Sequence, residues 1–226
     1  MKIRLHLKIF IFIAIFIVTR QIEIYGVLML FAVLHELGHM ITGIILGFKP
    51  NTIEIMPFGL SIGFDIKVDN YNKKIKKGTI LTLKKLFIAI SGPIINFIIA
   101  LIFLVYPISF LRINSQIIIY ANLLIGIFNL IPIYPLDGGR IIKYILHIFY
   151  GKKQSYIYSN KISYITIITL TIICSFAILY LKNIALILIL VYLWYLVIKE
   201  HKIFNAKKQI YKSINKIEEK QESTVN

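Results

Sequence analysis

The sequence predicts an all-α polytopic membrane protein of about six transmembrane helices, with a small cytoplasmic β-hairpin between spans two and three. Hydrophobic residues fill 58% of the 226 positions and mean hydropathy is +0.79. Soluble domains sit near about 45–50% apolar, so the excess calls for an apolar solvent. The apolar residues gather in runs that approach the roughly 20 needed to cross a hydrocarbon core. The basic residues gather in short segments between those runs.

The spans expected on this pattern are 5–19, 22–47, 85–110, 114–131, 160–181 and 183–199. With the N-terminus in the cytoplasm and the spans alternating, all of the 26 basic residues except Arg20, Arg112 and Lys182 fall on the cytoplasmic side. That bias sets orientation, with both termini cytoplasmic and the chain in the cell membrane. The net charge of +16 is therefore expected to meet lipid headgroups, and no direct nucleic-acid binding is expected. Lys2, Arg4 and Lys8 before an apolar run mimic a secretory signal, but no small-residue cleavage site precedes Arg20. The run is expected to stay as the first span. A lone Cys174 forms no intramolecular disulfide. His6 and His147 lack a partner at ligand spacing, and Trp194 reads as an ordinary packing aromatic.

Two cytoplasmic segments look structured. Thr52–Met56 and Leu60–Ile66 alternate isoleucine with polar residues around Pro57, Phe58 and Gly59, as a hairpin or small edge sheet does. Residues 138–150 open with two glycines and mix apolar with basic residues, as a short interfacial helix does. The expected organisation is one membrane domain over 1–202 and a short charged tail over 203–226, helical or disordered. No internal repeat points to the inverted halves of a transporter.

The chemistry gathers in span two, at Val33-Leu34-His35-Glu36-Leu37-Gly38-His39-Met40. Residues i and i+4 share a helix face, so His35 and His39 can converge on one metal, with Glu36 beside it as general base on a bound water. Gly38 removes a side chain where another helix or a substrate could approach. A charged residue near a helix centre costs about 2.5–3.5 kcal/mol or more and normally marks function. A catalytic zinc takes three protein ligands and leaves one position open. Among the available acids, Asp137 is the best third ligand. Pro132, Pro135, Gly138 and Gly139 around it must break the helix, and broken backbone at membrane depth lines a cavity or is buried in protein. Asp137 can equally act as the N-cap of the 138–150 helix. In span three, Ser91-Gly92-Pro93 reads as packing or a kink. Asn96 reads either as a helix–helix hydrogen bond or as an oxyanion donor, and Asn129 carries the same two readings.

These residues resemble the site-2 proteases, intramembrane zinc metalloproteases. The first motif of that family stands here as His35-Glu36-Leu37-Gly38-His39, and the second as Asn129-Leu130-Ile131-Pro132 through Leu136-Asp137-Gly138-Gly139. Ser91-Gly92-Pro93 with Asn96 is similar to the family's central segment. The chain looks closest to the stage IV sporulation protein FB branch, whose members process the pro-segment of a sporulation sigma-factor precursor. Only a short tail follows the last span, so the nucleotide-binding CBS domain of that branch is not expected. The resemblance implies Zn2+ on His35, His39 and Asp137, with water activated by Glu36. It also implies a hairpin that guides an extended substrate by strand addition. The implied partner is a membrane-associated protein, either a sigma-factor precursor or a single-span protein such as an anti-sigma factor, with inhibitory membrane partners possible. A metal transporter or non-catalytic scaffold is the remaining alternative. Polar residues gathered in one place, rather than tracking through several spans, weigh against it.

Overall fold

The computed structural model describes residues 2–5, 10, 13–14, 17–18, 20, 22–56, 59–65, 75–107, 113–181 and 184–225. They fall in two units, Met1–Ile131 and Pro132–Asn226.

The first unit holds helices α1 (Ile22–Ile45), α2 (Ile75–Val105) and α3 (Ser115–Asn129). It also holds a sheet of β1 (Lys2–Leu5), β2 (Lys49–Met56) and β3 (Gly59–Asp65) in the order β1-β2-β3. Helix α1 carries Glu23 in its first turn, where the helix dipole favours an acid. At its other end, Gly47 at φ 87° turns the chain with its N–H on Ile44 O, and the Lys84 ammonium donates to Leu46 O at 2.8 Å. The chain passes directly into β2. The β2–β3 hairpin is antiparallel, with Ile53 opposite Ile62 and Glu54 opposite Ser61, and it is longer on the β2 side than the expected 52–56.

The first strand departs from expectation. Lys2–Leu5 pairs in parallel with β2, from Lys2 opposite Thr52 to Leu5 opposite Ile55, so Leu5 is a strand residue and not the start of a span. Most of the 5–19 run otherwise lies outside the described residues. Helix α2 begins at Ile75, well before the expected 85. Lys76, Lys77, Lys84 and Lys85 end the hydropathy signal without ending the helix, since lysine is a good helix former. Its described end is Val105, two residues before Pro107. Helix α3 is capped by Asn114, whose side chain accepts from Gln116 N at 3.0 Å.

Helix α2 packs against both α1 and α3. Val27 and Phe31 of α1 and Ile118 and Ala121 of α3 form a buried cluster, joined by the partly buried Leu34, Ile99 and Phe103. Close approach is bought with glycine. A Cβ on Gly38 would stand 2.6 Å from Ile95 Cδ1 and 3.2 Å from Ser91 O, so the small residue in the histidine motif does serve a neighbouring helix. A Cβ on Gly43 would collide with the Phe64 ring, which fastens β3 to α1 one turn beyond His39.

The second unit comprises α4 (Asp137–Leu181) and α5 (Ile184–Val225). Helix α4 is broken at Gly151, at φ 77° and ψ 173°, so its first piece corresponds to the short helix expected over 138–150. Ser155, Ser159 and Ser163, four residues apart, are buried along α4. Ile167 of α4 and Leu193 and Val197 of α5 are buried, and Trp194 Nε1 donates to Thr171 Oγ1 at 3.0 Å across the helix pair. The tail beyond 203 is helical through Val225, one of the two expected states.

Among the described residues, Ile22–Ile45, Gly78–Val105 and Asp137–Ala177 are long and apolar enough to cross a membrane, and Ser115–Asn129 is a shorter apolar helix. Their outer faces carry exposed aliphatics, among them Ile41 and Ile44 on α1 and Ile94, Ile98 and Leu101 on α2. Such faces suit lipid, because hydrocarbon tails solvate them as well as protein does. Because Gly43 lies against the Phe64 ring, Gly43→Leu should overpack this contact at about 1–3 kcal/mol. Circular dichroism melts in detergent should show a lower apparent Tm, and an unchanged Tm would refute the docking of β3 on α1.

Candidate metal centre

His35 and His39 stand one turn apart on α1, 3% and 4% exposed, with their rings edge to face. Each ring is held through Nδ1. His35 Nδ1 meets Asn96 Oδ1 at 2.5 Å, and His39 Nδ1 meets the Ile88 carbonyl at 2.6 Å. Both partners are oxygens that only accept, so each Nδ1 carries a hydrogen, and Nε2 is the atom each ring can offer to a metal. The two Nε2 atoms face one another at 3.2 Å. Two lone pairs at that distance repel unless a cation lies between them. Tetrahedral Zn–N bonds of about 2.0–2.1 Å give a nitrogen–nitrogen edge of about 3.3 Å. The donor set and its spacing therefore fit zinc.

Helix α2 presents one face to this pair. Ile88, Gly92 and Asn96 lie four residues apart and so share a face. A Cβ on Gly92 would come within 2.5 Å of His39 Nε2 and 2.7 Å of His35 Nε2. Gly92 keeps the metal side of the rings clear, a task that its sequence context, a packing or kink motif, did not disclose. Pro93 crowds the preceding turn and has no N–H to give it. In that turn the Ile88 carbonyl is reached from the side by both Ser91 Oγ, at 2.7 Å, and His39 Nδ1.

Asn96 is fully buried and joins three helices. Its oxygen accepts from His35 on α1, and its Nδ2 donates to Asn122 Oδ1 on α3 at 2.9 Å. Asn122, also 0% exposed, donates in turn to the Ile118 carbonyl at 2.8 Å. Asn122 was not singled out from the sequence. An amide in the middle of the apolar run 117–128 was the available signal, by the same reasoning that singles out Glu36. Glu36 follows His35 on α1 and is half-buried. Asn129, the last residue of α3, donates through Nδ2 to Ile125 O of its own helix at 3.0 Å. Within the first unit the structure thus gathers His35, His39 and Asn96, with Gly92 between them and Asn122 behind.

Asp137 belongs to the second unit. It is the first residue of α4 rather than the residue before it, 4% exposed, with Arg140 Nη1 3.5 Å from Oδ1. The first turn of a helix stabilises its negative charge. The turn before it is fixed from several sides. A Cβ on Gly139 would collide with the backbone of Ile133 and Tyr134, Tyr134 N donates to Ser163 Oγ at 3.1 Å, and Lys143 Nζ lies over the rings of Tyr134 and Tyr156. Burial pushes the Tyr134 phenol up to about 12, against the pull of Arg140. It is therefore neutral at physiological pH and serves as a wall of the turn.

The profile of Peptidase family M50 matches residues 24–112 and 113–173. A zinc metalloprotease of Methanocaldococcus jannaschii is 38% identical over 136 residues, covering 58% of this chain and 35% of that protein. Stage IV sporulation protein FB of Bacillus subtilis is 25% identical over 146 residues, covering 63% of this chain and 46% of that protein. The chain thus spans less than half the length of these curated relatives. The solved structure of a site-2 protease from Methanocaldococcus jannaschii matches with a TM-score of 0.62 at 27% identity, covering 88% of this chain and 89% of that one.

Gly92→Ala should push the imidazoles apart while leaving the helices formed. Zinc affinity, measured by chelator competition, should fall at least as far as on loss of an outer-shell partner, about 10–100-fold. Unchanged affinity would show that the rings are not confined as described.

Proposed function

The chain belongs to peptidase family M50, and from that premise we propose that it is a zinc-dependent intramembrane endopeptidase carrying out regulated proteolysis. The observation that carries this reading is the facing Nε2 pair at 3.2 Å, each ring locked by an acceptor on Nδ1. His35, His39 and Asp137 are the proposed ligands. The burial of all three side chains and the start of α4 at Asp137 support that set.

Zinc held there would polarise the scissile carbonyl and lower the pKa of a water. Glu36 takes the proton of the attacking water and passes it to the leaving amine. Asn96 keeps the His35 ring in its ligating orientation. Asn129, in the second motif, is a candidate to hold the substrate backbone. A helical peptide bond is shielded by its own hydrogen bonds and side chains, so the substrate segment must unwind before cleavage. The β2–β3 hairpin is the proposed guide for the extended segment.

The proposed arrangement is six spans with both termini cytoplasmic, a protease domain over 1–202 and a tail over 203–226. The substrate is a membrane-associated protein. The likeness to stage IV sporulation protein FB favours the pro-segment of a sporulation sigma-factor precursor over a single-span protein. Co-expression in membranes of a sigma-factor pro-segment fragment with wild type or Glu36→Gln tests this. Cleavage by wild type alone fits. No cleavage with zinc bound at one per chain discards that substrate and turns the search to single-span proteins. No cleavage and no zinc refutes the enzyme.

Glu36→Gln should retain one zinc per chain and lose about 10²–10⁴-fold in cleavage rate; normal processing by this variant would refute its role. Asp137→Ala should lose zinc on dialysis, and metal content equal to wild type would remove it from the ligand set.

A further inference from the structure

A carboxamide has two faces. With its oxygen toward His35, Asn96 makes Nδ1 a donor and leaves Nε2 bare to ligate. With its NH2 group toward His35, it would place the ring hydrogen on Nε2 and close the ring to a metal. The two orientations have nearly the same shape, so packing cannot choose between them. Something that hydrogen-bonds must.

We propose that Asn122 is the positioning residue that makes this choice, and thereby sets the tautomer of His35. The direction begins at a group that cannot turn over. The Ile118 carbonyl only accepts, so the group that Asn122 turns toward it is the NH2, at 2.8 Å. Asn122 then presents Oδ1 to Asn96, which must answer with its own NH2, at 2.9 Å. The Asn96 oxygen is left facing His35 Nδ1, at 2.5 Å. Each amide is planar with its two ends opposed, so the sense of the first bond dictates the sense of the last. Asn96 and Asn122 are both 0% exposed, which removes water as an alternative partner for either end. A buried amide left unmatched is costly, and this keeps the relay in one sense. The side-chain bonds of Asn122 go to Asn96 and the Ile118 carbonyl, so it acts on His35 only through Asn96. The inference rests on the reading of His35 as a zinc ligand.

The test is zinc affinity by chelator competition on the full chain, in two backgrounds. Asn122→Leu removes the direction and should weaken zinc binding about 10–100-fold, the range for loss of an outer-shell partner. A carboxylate has no wrong face, so in an Asn96→Asp background the same Asn122→Leu change should cost little. An equal loss in both backgrounds would reduce Asn122 to packing and overturn the proposal, as would no loss in either. Asn122→Asp, protonated at this depth, still donates to Ile118 O and accepts from Asn96. It should stay within about threefold of wild type, well inside that range. A loss by Asn122→Asp far beyond this would also overturn the proposal, whether or not the leucine variant folds. Wild type that binds no zinc refutes the metal reading itself, whereas wild type that binds while Asn122→Leu is indifferent refutes this inference alone.

Discussion

An imidazole buried in an apolar bundle is held for a metal when its other nitrogen has an acceptor in the protein, because that side of the ring faces packed helix and not solvent. The first unit is arranged around that constraint. His35 and His39 each need an oxygen on the Nδ1 side, and α2 supplies both, one from Asn96 and one from the Ile88 carbonyl. The first oxygen comes from a side chain and the second from the backbone of α2. Together they tie α2 to α1 in one register, since a slide by one turn would take the Asn96 side chain away from His35.

The same register explains where the glycines fall. Gly92 sits between Ile88 and Asn96 on the face that meets the rings, and Gly38 sits one residue before His39, against Ile95 and the Ser91 carbonyl. Without the hydrophobic effect to press helices together in lipid, close backbone approach and hydrogen bonds across the interface do that work. Gly126 of α3 gives way to the Phe97 ring, beside the bond from Asn96 to Asn122. The contacts that let three helices approach thus surround the polar groups that need the approach.

The sequence made the centre easier to read than the fold. Two histidines at i and i+4 with a glutamate between them declare a metal helix, because the spacing is local and the cost of placing such groups in an apolar run is high. Gly38 was legible for the same reason. Asn122 offered only the weaker signal of an amide inside an apolar run, and its role depends on a partner 26 residues away that no local spacing marks. Strand β1 was hidden similarly. Four residues of mixed charge and aliphatic character pair with β2 across some 50 positions, a contact that local periodicity does not encode. The early start of α2 was obscured by its lysines, which hydropathy penalises and helix geometry does not. Hydropathy located the bulk of the apolar helices and located their ends less well, because ends are decided by caps, prolines and breaks such as Gly151.

The contact between Trp194 and Thr171 has a spectroscopic consequence. The chain holds a single tryptophan, so its intrinsic indole emission arises from one place, the α4–α5 pair of the second unit. Loss of that hydrogen bond and exposure of the ring would shift the emission, while events confined to the histidine helix would leave it unchanged. Fluorescence therefore watches the second unit alone, while far-ultraviolet dichroism sums the helices of both. Where the two disagree, the disagreement reports which unit has let go first.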